Sequence, residues 1–261
     1  MHHRSINFLQ TDTNYQKLKN KNIYKDLVKS SSENKKSLAV LIDPDKMKLE
    51  NLSGFITKVN RSIATHIFVG GSEVDINITD IIIKNIKPLT DLPIIIFPGS
   101  TNQISEQADA LLFLSLVSGD NPEYLIGQQR KAVPKLRNSS LEILSTGYIL
   151  IENGKSTSVE KVTQTKPMSR TDVQKIADTA KAGDMLGMKL IYLEAGSGAI
   201  HPVPPEIINF VKRDLNIPLI VGGGIRSKEQ LDAAYKAGAD LVVIGTAFEE
   251  DEGFFKEIKK E

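Results

Sequence analysis

The chain has 261 residues, a formal net charge of +1, 40% hydrophobic residues and 25% charged residues. A chain of this length can bury a full core, either as one large α/β domain or as two smaller ones. The near-zero charge argues against a nucleic-acid partner, and the absence of cysteine excludes disulfides, thiolate metal sites and thiol nucleophiles. The first thirty residues lack the apolar core of a signal peptide, and no apolar run approaches the length of a membrane span. We therefore expect a soluble cytoplasmic protein.

The N-terminal part of the chain differs in pattern from the rest. Residues 14–30 have the pattern of a helix, and the polar stretch 29–36 (KSSSENKK) is typical of a solvated linker. We expect residues 1–36 to form an N-terminal helix and linker, with the helix covering the floor of a catalytic domain over residues 37–261.

Eight apolar runs, most of them rich in β-branched residues, alternate with helical patterns along the remaining chain. The predicted strands are 38–43, 65–70, 93–97, 110–115, 141–151, 189–194, 218–223 and 240–245. Amphipathic patterns at 171–185, 205–214 and 227–237 predict helices between the later strands. Near-continuous apolar strands separated by helices indicate a parallel sheet covered on both faces. The number of strands and the chain length predict a single-domain (β/α)8 TIM barrel of the α/β class.

A doubly wound open sheet is the alternative fold. It is disfavoured because no Gly-x-Gly-x-x-Gly motif follows the first strand, where a dinucleotide site would need one.

The ends of the first three predicted strands carry polar groups. LIDPDK (41–46) places Asp43 at the end of the first strand, and Lys46 enters the loop behind it. VGGSE (69–73) places the hydroxyl of Ser72 after the second strand, and FPGST (97–101) gives a glycine turn after the third. Oxygen ligands at the top of a barrel suit Mg²⁺, which often bridges to phosphates. Asp43, alternatively, could only cap a turn.

The fourth and fifth predicted strands are strongly apolar, and Tyr148 lies near their upper end. This side of the barrel could bind a hydrocarbon, although apolar strands are what any barrel core requires. The polar stretch 152–170 follows the fifth strand and contains Gly154 and Pro167. We expect it to be a mobile loop near the active face.

Three glycine-bearing segments follow the last three predicted strands: 194–198 (EAGSG), 221–227 (VGGGIRS) and 244–248 (IGTAF). In a barrel these strand ends are neighbours, and glycine allows the backbone to approach an anion closely. Their N–H groups could converge on the oxygens of one phosphate. The candidate amides are those of Ser197, Gly198, Gly223, Gly224, Gly245 and Thr246.

A carboxylate directly before such a turn needs a reason, because it would repel a phosphate. Strand alternation directs Tyr192 and Glu194 into the barrel at its upper rim, and Leu193 outward. Glu194 can then accept hydrogen bonds from hydroxyls attached to the phosphate without touching the phosphate itself. A purely structural network of Glu194 and Tyr192 is the alternative. With a second anion over the first strands, the pattern suggests a reaction that joins two phosphorylated substrates.

The segments LIDPDK, VGGSE, FPGS, YLEAGSGA, VGGGIRS and GTAFE together resemble the geranylgeranylglyceryl phosphate synthase family, from about residue 37 to the C-terminus. The resemblance implies a TIM barrel that transfers a C20 isoprenoid from geranylgeranyl diphosphate to the 3-hydroxyl of sn-glycerol 1-phosphate, with Mg²⁺, releasing diphosphate. It places the Mg²⁺ ligands at Asp43 and Ser72. It places the glycerol-phosphate site at Tyr192, Leu193, Glu194, Ala195, Gly196, Ser197, Gly198, Gly223, Gly224, Gly245 and Thr246.

The resemblance also bears on chain length and assembly. A related branch has a lysine two residues before the first-strand aspartate and uses a heptaprenyl donor; Leu41 stands there in this chain, which favours the geranylgeranyl branch. Family members are often dimers or larger rings, so we expect a homo-oligomer, a dimer or a hexamer. A lipid product makes transient membrane contact plausible.

In the predicted mechanism, Glu194 orients the acceptor hydroxyl and accepts its proton, and Tyr192 fixes the acceptor. Other classes stay open at this point: another phosphosugar barrel, such as an isomerase or aldolase, a non-catalytic phosphate-binding module, or an enzyme of the same family with a different chain length. A Schiff-base aldolase needs a lysine at the upper end of a central strand. Lys189 lies at the wrong end of its strand, and Lys46 lies in a loop.

Overall fold

The computed structural model describes residues 22–71, 74–250 and 253–260, with the side chains of 249 and 250 excepted. Its strands form a closed barrel in chain order, and every neighbouring pair is parallel, including the first with the last. The strands are β1 Ser37–Ile42, β2 His66–Val69, β3 Ile94–Ile96, β4 Ala110–Leu116, β5 Glu142–Leu150, β6 Leu190–Glu194, β7 Leu219–Gly222 and β8 Leu241–Ile244. The predicted TIM barrel is therefore confirmed, and the open-sheet alternative is wrong.

Helices cover the outside of the barrel. They are α1 Ile23–Ser32, α2 Leu49–Arg61, α3 Ile78–Ile86, α4 Gln128–Leu136, α5 Ser158–Thr163, α6 Val173–Met185, α7 Pro205–Arg213, α8 Lys228–Ala237, α9 Thr246–Glu250 and α10 Phe254–Glu257. Short 3-10 turns at Lys87–Leu89 and Thr101–Gln103, and a π-helical turn at Glu123–Gly127, complete the set. The three helices predicted in the second half correspond to α6, α7 and α8.

Local sequence explains where these helices begin and end. In α8, the side chain of Ser227 accepts a hydrogen bond from the N–H of Gln230, and the helix stops at Gly238 with φ of 119°. None of the described helices is both long enough and apolar enough to cross a membrane.

Helix α1 closes the barrel floor. Its Ile23 and Leu27 are buried in the cluster of side chains that fills the barrel interior, where each contributes about 2 kcal/mol of apolar burial. The Glu142 carboxylate, at the start of β5, accepts the N–H groups of Ile23 at 2.6 Å and Tyr24 at 3.0 Å. Two N–H groups of the first helical turn, which have no partner within the helix, are thereby satisfied. The helix predicted over 14–30 is thus observed from Ile23, and residues 1–21 lie outside the described part of the chain.

The expected linker 29–36 is partly wrong. Helix α1 continues through Ser32, and Ser31 Oγ donates to Asp240 Oδ1 at 2.8 Å, below the barrel. Asp240 also accepts from the N–H of Leu219 at 2.8 Å and from Lys212 Nζ at 2.6 Å. The polar residues of this stretch therefore form the C-terminal end of α1 and attach it to Asp240.

The barrel strands alternate between two hydrophobic layers. Side chains such as Phe68, Leu112, Leu190 and Tyr192 form the interior cluster. Their sequence neighbours, such as Ile191, pack between the strands and the surrounding helices. This alternation places the upper ends of inward-facing positions at the mouth of the barrel.

Candidate active site

A cavity of about 470 Å³ opens at the carboxyl ends of the strands. This volume is in the range of small-molecule sites. Its walls include Asp43 after β1 and the Gly223–Gly224 turn after β7. The sequence predicts that these groups face each other across one barrel mouth, and in the structure they line the same cavity. Ser72, the second predicted magnesium ligand, lies outside the described residues.

Two glycine turns meet on one side of this cavity. Gly196, Gly198, Gly223 and Gly224 all have positive φ, from 62° to 102°. A Cβ on Gly223 would overlap Glu194 Oε1 and lie 2.6 Å from Gly196 N, so only glycine lets the turns after β6 and β7 touch.

The backbone of these turns presents unpaired donors to the cavity. Within the described residues, no protein acceptor pairs with the N–H groups of Ser197, Gly198, Gly223 and Gly224. Unpaired N–H groups in a concave turn form an anion site. Gly245 and Thr246, after β8, also line the cavity. The structure therefore gathers six of the predicted phosphate-binding positions at one edge.

Glu194 ends β6 and is 5% exposed. Its Oε1 accepts the N–H of Gly196 at 2.5 Å, so this amide serves the carboxylate and not the anion site. Burial raises the pKa of Glu194, and the hydrogen bond from the Gly196 N–H offsets part of that rise. A carboxylate with a raised pKa is a better proton acceptor near neutral pH.

The Tyr192 hydroxyl lies inside the barrel beside Glu194. Burial, and then the charge of Glu194, raise its pKa well above the usual value, so the hydroxyl stays protonated. It is not in hydrogen-bonding geometry with the carboxylate, and the described part of the chain offers it no other partner. A buried polar atom without a partner is costly, so a bound group that pairs with it would gain affinity.

An aromatic cluster supports this hydroxyl. The Tyr192 ring stacks on Phe97 with centroids 5.3 Å apart, and it meets Tyr148 edge to face at 5.4 Å. Phe97 and Tyr148 line the cavity too. Tyr148 was predicted from the sequence, whereas Phe97 was not, because its contact with Tyr192 of β6 forms only inside the closed barrel.

Asp43 and Lys46 form the opposite side of the mouth. Lys46 Nζ lies 3.3 Å from Asp43 Oδ2, and Asp43 Oδ1 accepts the N–H of Asp45 at 3.2 Å. Among the described residues there is no group of three or more histidines and carboxylates that could hold a metal alone. One carboxylate still fits Mg²⁺, which usually binds through one or two carboxylates together with substrate phosphates.

Gln103, which was not predicted from the sequence, holds the loop beside Asp43. This buried side chain accepts the N–H of Gly71 at 3.3 Å and donates to the Gly71 carbonyl at 2.7 Å. The pairing fixes the loop after β2, which leads into Ser72. Its only signal in the sequence was an amide residue in a short polar turn.

The remaining wall of the cavity is apolar. It includes Leu112, Leu114 and Leu116 of β4, Tyr124 and Ala132 near α4, and Val159 and Val162 of α5. The stretch 152–170 lies near the active face as predicted, and most of it is irregular, but the expectation of a loop is incomplete because α5 forms within it. Thr157 caps α5 by accepting the N–H of Glu160 at 3.1 Å.

Two of the predicted site residues are not brought into the cavity. The side chains of Leu193 and Ala195 are fully buried in the layer between strands and helices. The Ala195 N–H is used by the Gly222 carbonyl at 3.0 Å. Alternation along β6 sends every second residue away from the barrel axis, so a continuous block of ligands from 192 to 198 cannot form.

Comparisons with known proteins identify the family of this chain. The PcrB family model matches residues 31–261. Geranylgeranylglyceryl phosphate synthase of Zunongwangia profunda is 57% identical over 226 residues, covering 87% of this chain and 96% of the relative. That of Thermococcus kodakarensis is 43% identical over 219 residues, covering 83% and 86%.

A solved structure is similar throughout. The crystal structure of (S)-3-O-geranylgeranylglyceryl phosphate synthase from Thermoplasma acidophilum in complex with the substrate sn-glycerol-1-phosphate has a TM-score of 0.85 and 34% identity, covering 90% of this chain and 94% of the other. Since the family match extends over most of the chain, the chain belongs to the PcrB family, together with the geranylgeranylglyceryl phosphate synthases that its motifs resemble.

Proposed function

We propose that this protein transfers a geranylgeranyl group from geranylgeranyl diphosphate to the 3-hydroxyl of sn-glycerol 1-phosphate and releases diphosphate. The observation that carries the proposal is the shared cavity: unpaired amides and Glu194 on one side, Asp43 on the other, and an apolar wall between them. The relatives named geranylgeranylglyceryl phosphate synthase support prenyl transfer to glycerol phosphate.

The acceptor side determines how the alcohol is held. The amides of the Ser197–Gly198 and Gly223–Gly224 turns bind the phosphate, and the glycerol hydroxyls extend toward Glu194 and Tyr192. The Tyr192 hydroxyl gains the partner that the described residues do not give it. The Glu194 carboxylate accepts a hydrogen bond from the attacking hydroxyl.

The reaction exchanges one carbon–oxygen bond for another. The acceptor 3-oxygen forms a bond to C1 of the allylic chain while the bond from C1 to diphosphate breaks, and the hydroxyl proton passes to Glu194. A positioned base contributes a factor of about 10²–10⁴, and the common cavity adds the advantage of proximity. The raised pKa of Glu194 suits it to this role.

The donor side stabilises the leaving group. Asp43 is the protein ligand that we propose for Mg²⁺, with Ser72 as the second. When bound, the ion neutralises charge that develops on the departing diphosphate. Lys46, which lies 3.3 Å from Asp43, places a positive charge at the same edge.

The apolar wall is the proposed prenyl site, and the C20 donor is the proposed chain length. Leu41 lines the cavity at the position where the longer-chain branch has lysine. Incubation with C15, C20 and C35 diphosphates, sn-glycerol 1-phosphate and Mg²⁺, followed by mass analysis, tests this. We expect the C20 ether to dominate; a dominant C35 product would reassign the chain length, and no ether product would reject the transferase.

Assembly and location complete the proposal. We propose a cytoplasmic homo-oligomer, a dimer or a hexamer, that contacts a membrane transiently when it exchanges its lipid substrate and product. Met185 and Leu186, which are 77% and 76% exposed at the end of α6, are apolar surface that a second copy would cover. Light scattering of the wild-type chain and of a Met185→Lys/Leu186→Lys variant tests this face: a monomeric wild type would reject the oligomer.

A further inference from the structure

The loop that follows β5 is attached to the turn that follows β6. Asn153 is 1% exposed, and its side-chain amide donates to the Ala195 carbonyl and accepts the N–H of Lys155 at 3.2 Å. The Asn153 carbonyl accepts the N–H of His201 at 3.2 Å. These bonds fix residues 153–157 against the segment that contains the phosphate-binding turn.

This attachment brings a positive charge over the turn. The Thr157 side chain occupies the place that a Cβ on Gly196 would take. Further along, Lys155 Nζ lies 3.1 Å from where a Cβ on Gly198 would stand. The ammonium group is therefore next to the amides of Ser197 and Gly198, which have no protein acceptor among the described residues.

A cation at this place would balance the negative charges of Glu194 and of a bound phosphate. Glu194 places a carboxylate at the edge of the turn, and a phosphate monoester carries close to two negative charges at neutral pH. Backbone amides supply only partial positive charge. In the described part of the chain, no carboxylate lies within ion-pairing distance of Lys155, so its charge is available to a ligand. Arg226 lines the cavity itself and anchors the turn by donating from Nη1 to the Ala199 carbonyl at 2.7 Å, whereas Lys155 lies on the outer side of the turn and is not among the cavity-lining residues.

We propose that the Lys155 ammonium binds the phosphate of the acceptor from the solvent side of the turn, and that it selects a phosphorylated alcohol over an uncharged one. The inference rests on the proposed function, because it concerns the same acceptor. Lys155 contacts the non-reacting end of the substrate. Its contribution therefore appears in acceptor affinity and leaves the chemical step nearly unchanged.

Titration calorimetry with sn-glycerol 1-phosphate tests the proposal directly. We expect Lys155→Met, which keeps the aliphatic stem, to weaken binding about tenfold, as expected for loss of a charge-assisted hydrogen bond. Lys155→Arg restores the charge and should recover most of the affinity. Lys166→Met is the matched control, since Lys166 is an exposed lysine in the same segment and, among the described residues, no hydrogen bond or ion pair joins its side chain to the turn. Its affinity should equal that of the wild type.

Two further measurements separate a charge effect from a structural one. Lys155→Met should raise the acceptor KM with kcat nearly unchanged, and its affinity should fall less steeply with added salt than that of the wild type. Equal binding by Lys155→Met and wild type would overturn the Lys155 proposal and leave the proposed function standing. A wild-type chain that does not bind sn-glycerol 1-phosphate would overturn the acceptor assignment, and Lys155 with it.

Discussion

The acceptor and donor sides of the cavity are built in different ways. On the acceptor side, Glu194 and Tyr192 are buried, and the turns after β6 and β7 meet through backbone contacts. On the donor side, the side chains of Asp43 and Lys46 are 22% and 53% exposed. The acceptor side is therefore preformed by the fold, whereas the donor side depends on charged groups that diphosphate and its ion would bring into order. Substitutions on the acceptor side should affect both fold and chemistry, and those on the donor side mainly chemistry.

The largest effect is expected at Glu194. Glu194→Gln keeps an oxygen that can accept the Gly196 N–H but cannot take a proton, so kcat should fall by about 10²–10⁴. Calorimetry should show that sn-glycerol 1-phosphate still binds. A variant with near-normal kcat would remove Glu194 from the mechanism.

On the donor side, Asp43→Asn should reduce kcat/KM for the prenyl diphosphate by about 10²-fold, because the leaving group loses its proposed metal anchor. The loss should be partly reversed by higher Mg²⁺, and the melting temperature should change little, since Asp43 is partly exposed. Rates measured across a Mg²⁺ titration check this. Activity that ignores the Mg²⁺ concentration would reject the ligand assignment.

Gly223→Ala tests whether the acceptor side is preformed. The new methyl group would overlap Glu194 Oε1, at a φ of 83° that L-residues rarely adopt, so we expect a loss of about 1–3 kcal/mol of stability and weaker acceptor binding. Gly54→Ala in α2 is the control, because its Cβ would meet nothing within 4 Å. That substitution should be neutral or stabilise by up to about 1 kcal/mol. Denaturant unfolding gives the free energy of unfolding of both variants. If Gly223→Ala were as stable as Gly54→Ala, the close contact between the turns after β6 and β7 would be contradicted.

The smallest effect concerns pH. The folded-state pKa of Glu194 is raised above the ordinary value of 4.5, so the folded state binds its proton more tightly than the unfolded state does. The protonated Glu194 carboxyl therefore contributes to the free energy of unfolding at low pH. This contribution is lost as the pH rises from 4.5, the ordinary pKa, through the raised pKa of the folded state. Glu194→Gln should therefore be more stable than wild type at pH 8, and this difference in the free energy of unfolding should shrink as the pH falls towards 4. A difference independent of pH would show that burial does not perturb this carboxyl.

Much of the acceptor side could be predicted from sequence because its signals are local. Alternation along β6 was enough to direct Tyr192 and Glu194 inward, and the glycines of three strand ends marked the amide turns. The same alternation excludes Leu193 and Ala195, which a contiguous motif had included. The use of the Gly196 amide by Glu194 depends on side-chain conformation and had no signal in the sequence.

The remaining features depend on contacts between distant segments. Gln103, which follows β3, reaches Gly71 at the end of the neighbouring β2. Phe97 stacks on Tyr192 only because β3 and β6 face each other inside a closed barrel. Helix α5 forms in a polar stretch because Val159 and Val162 find an apolar wall to cover. The helix propensity of this stretch does not predict α5, because it contains no information about the apolar wall that the helix covers.

In the proposed function, one cavity holds both substrates and Glu194 activates the alcohol. The most direct measurement is diphosphate release from geranylgeranyl diphosphate by wild type and Glu194→Gln, with and without sn-glycerol 1-phosphate. We expect the wild type to release diphosphate rapidly only when the acceptor is present, with one ether formed for each diphosphate. The Glu194→Gln variant should release little diphosphate. Release that does not depend on the acceptor, or equal release by both proteins, would contradict it.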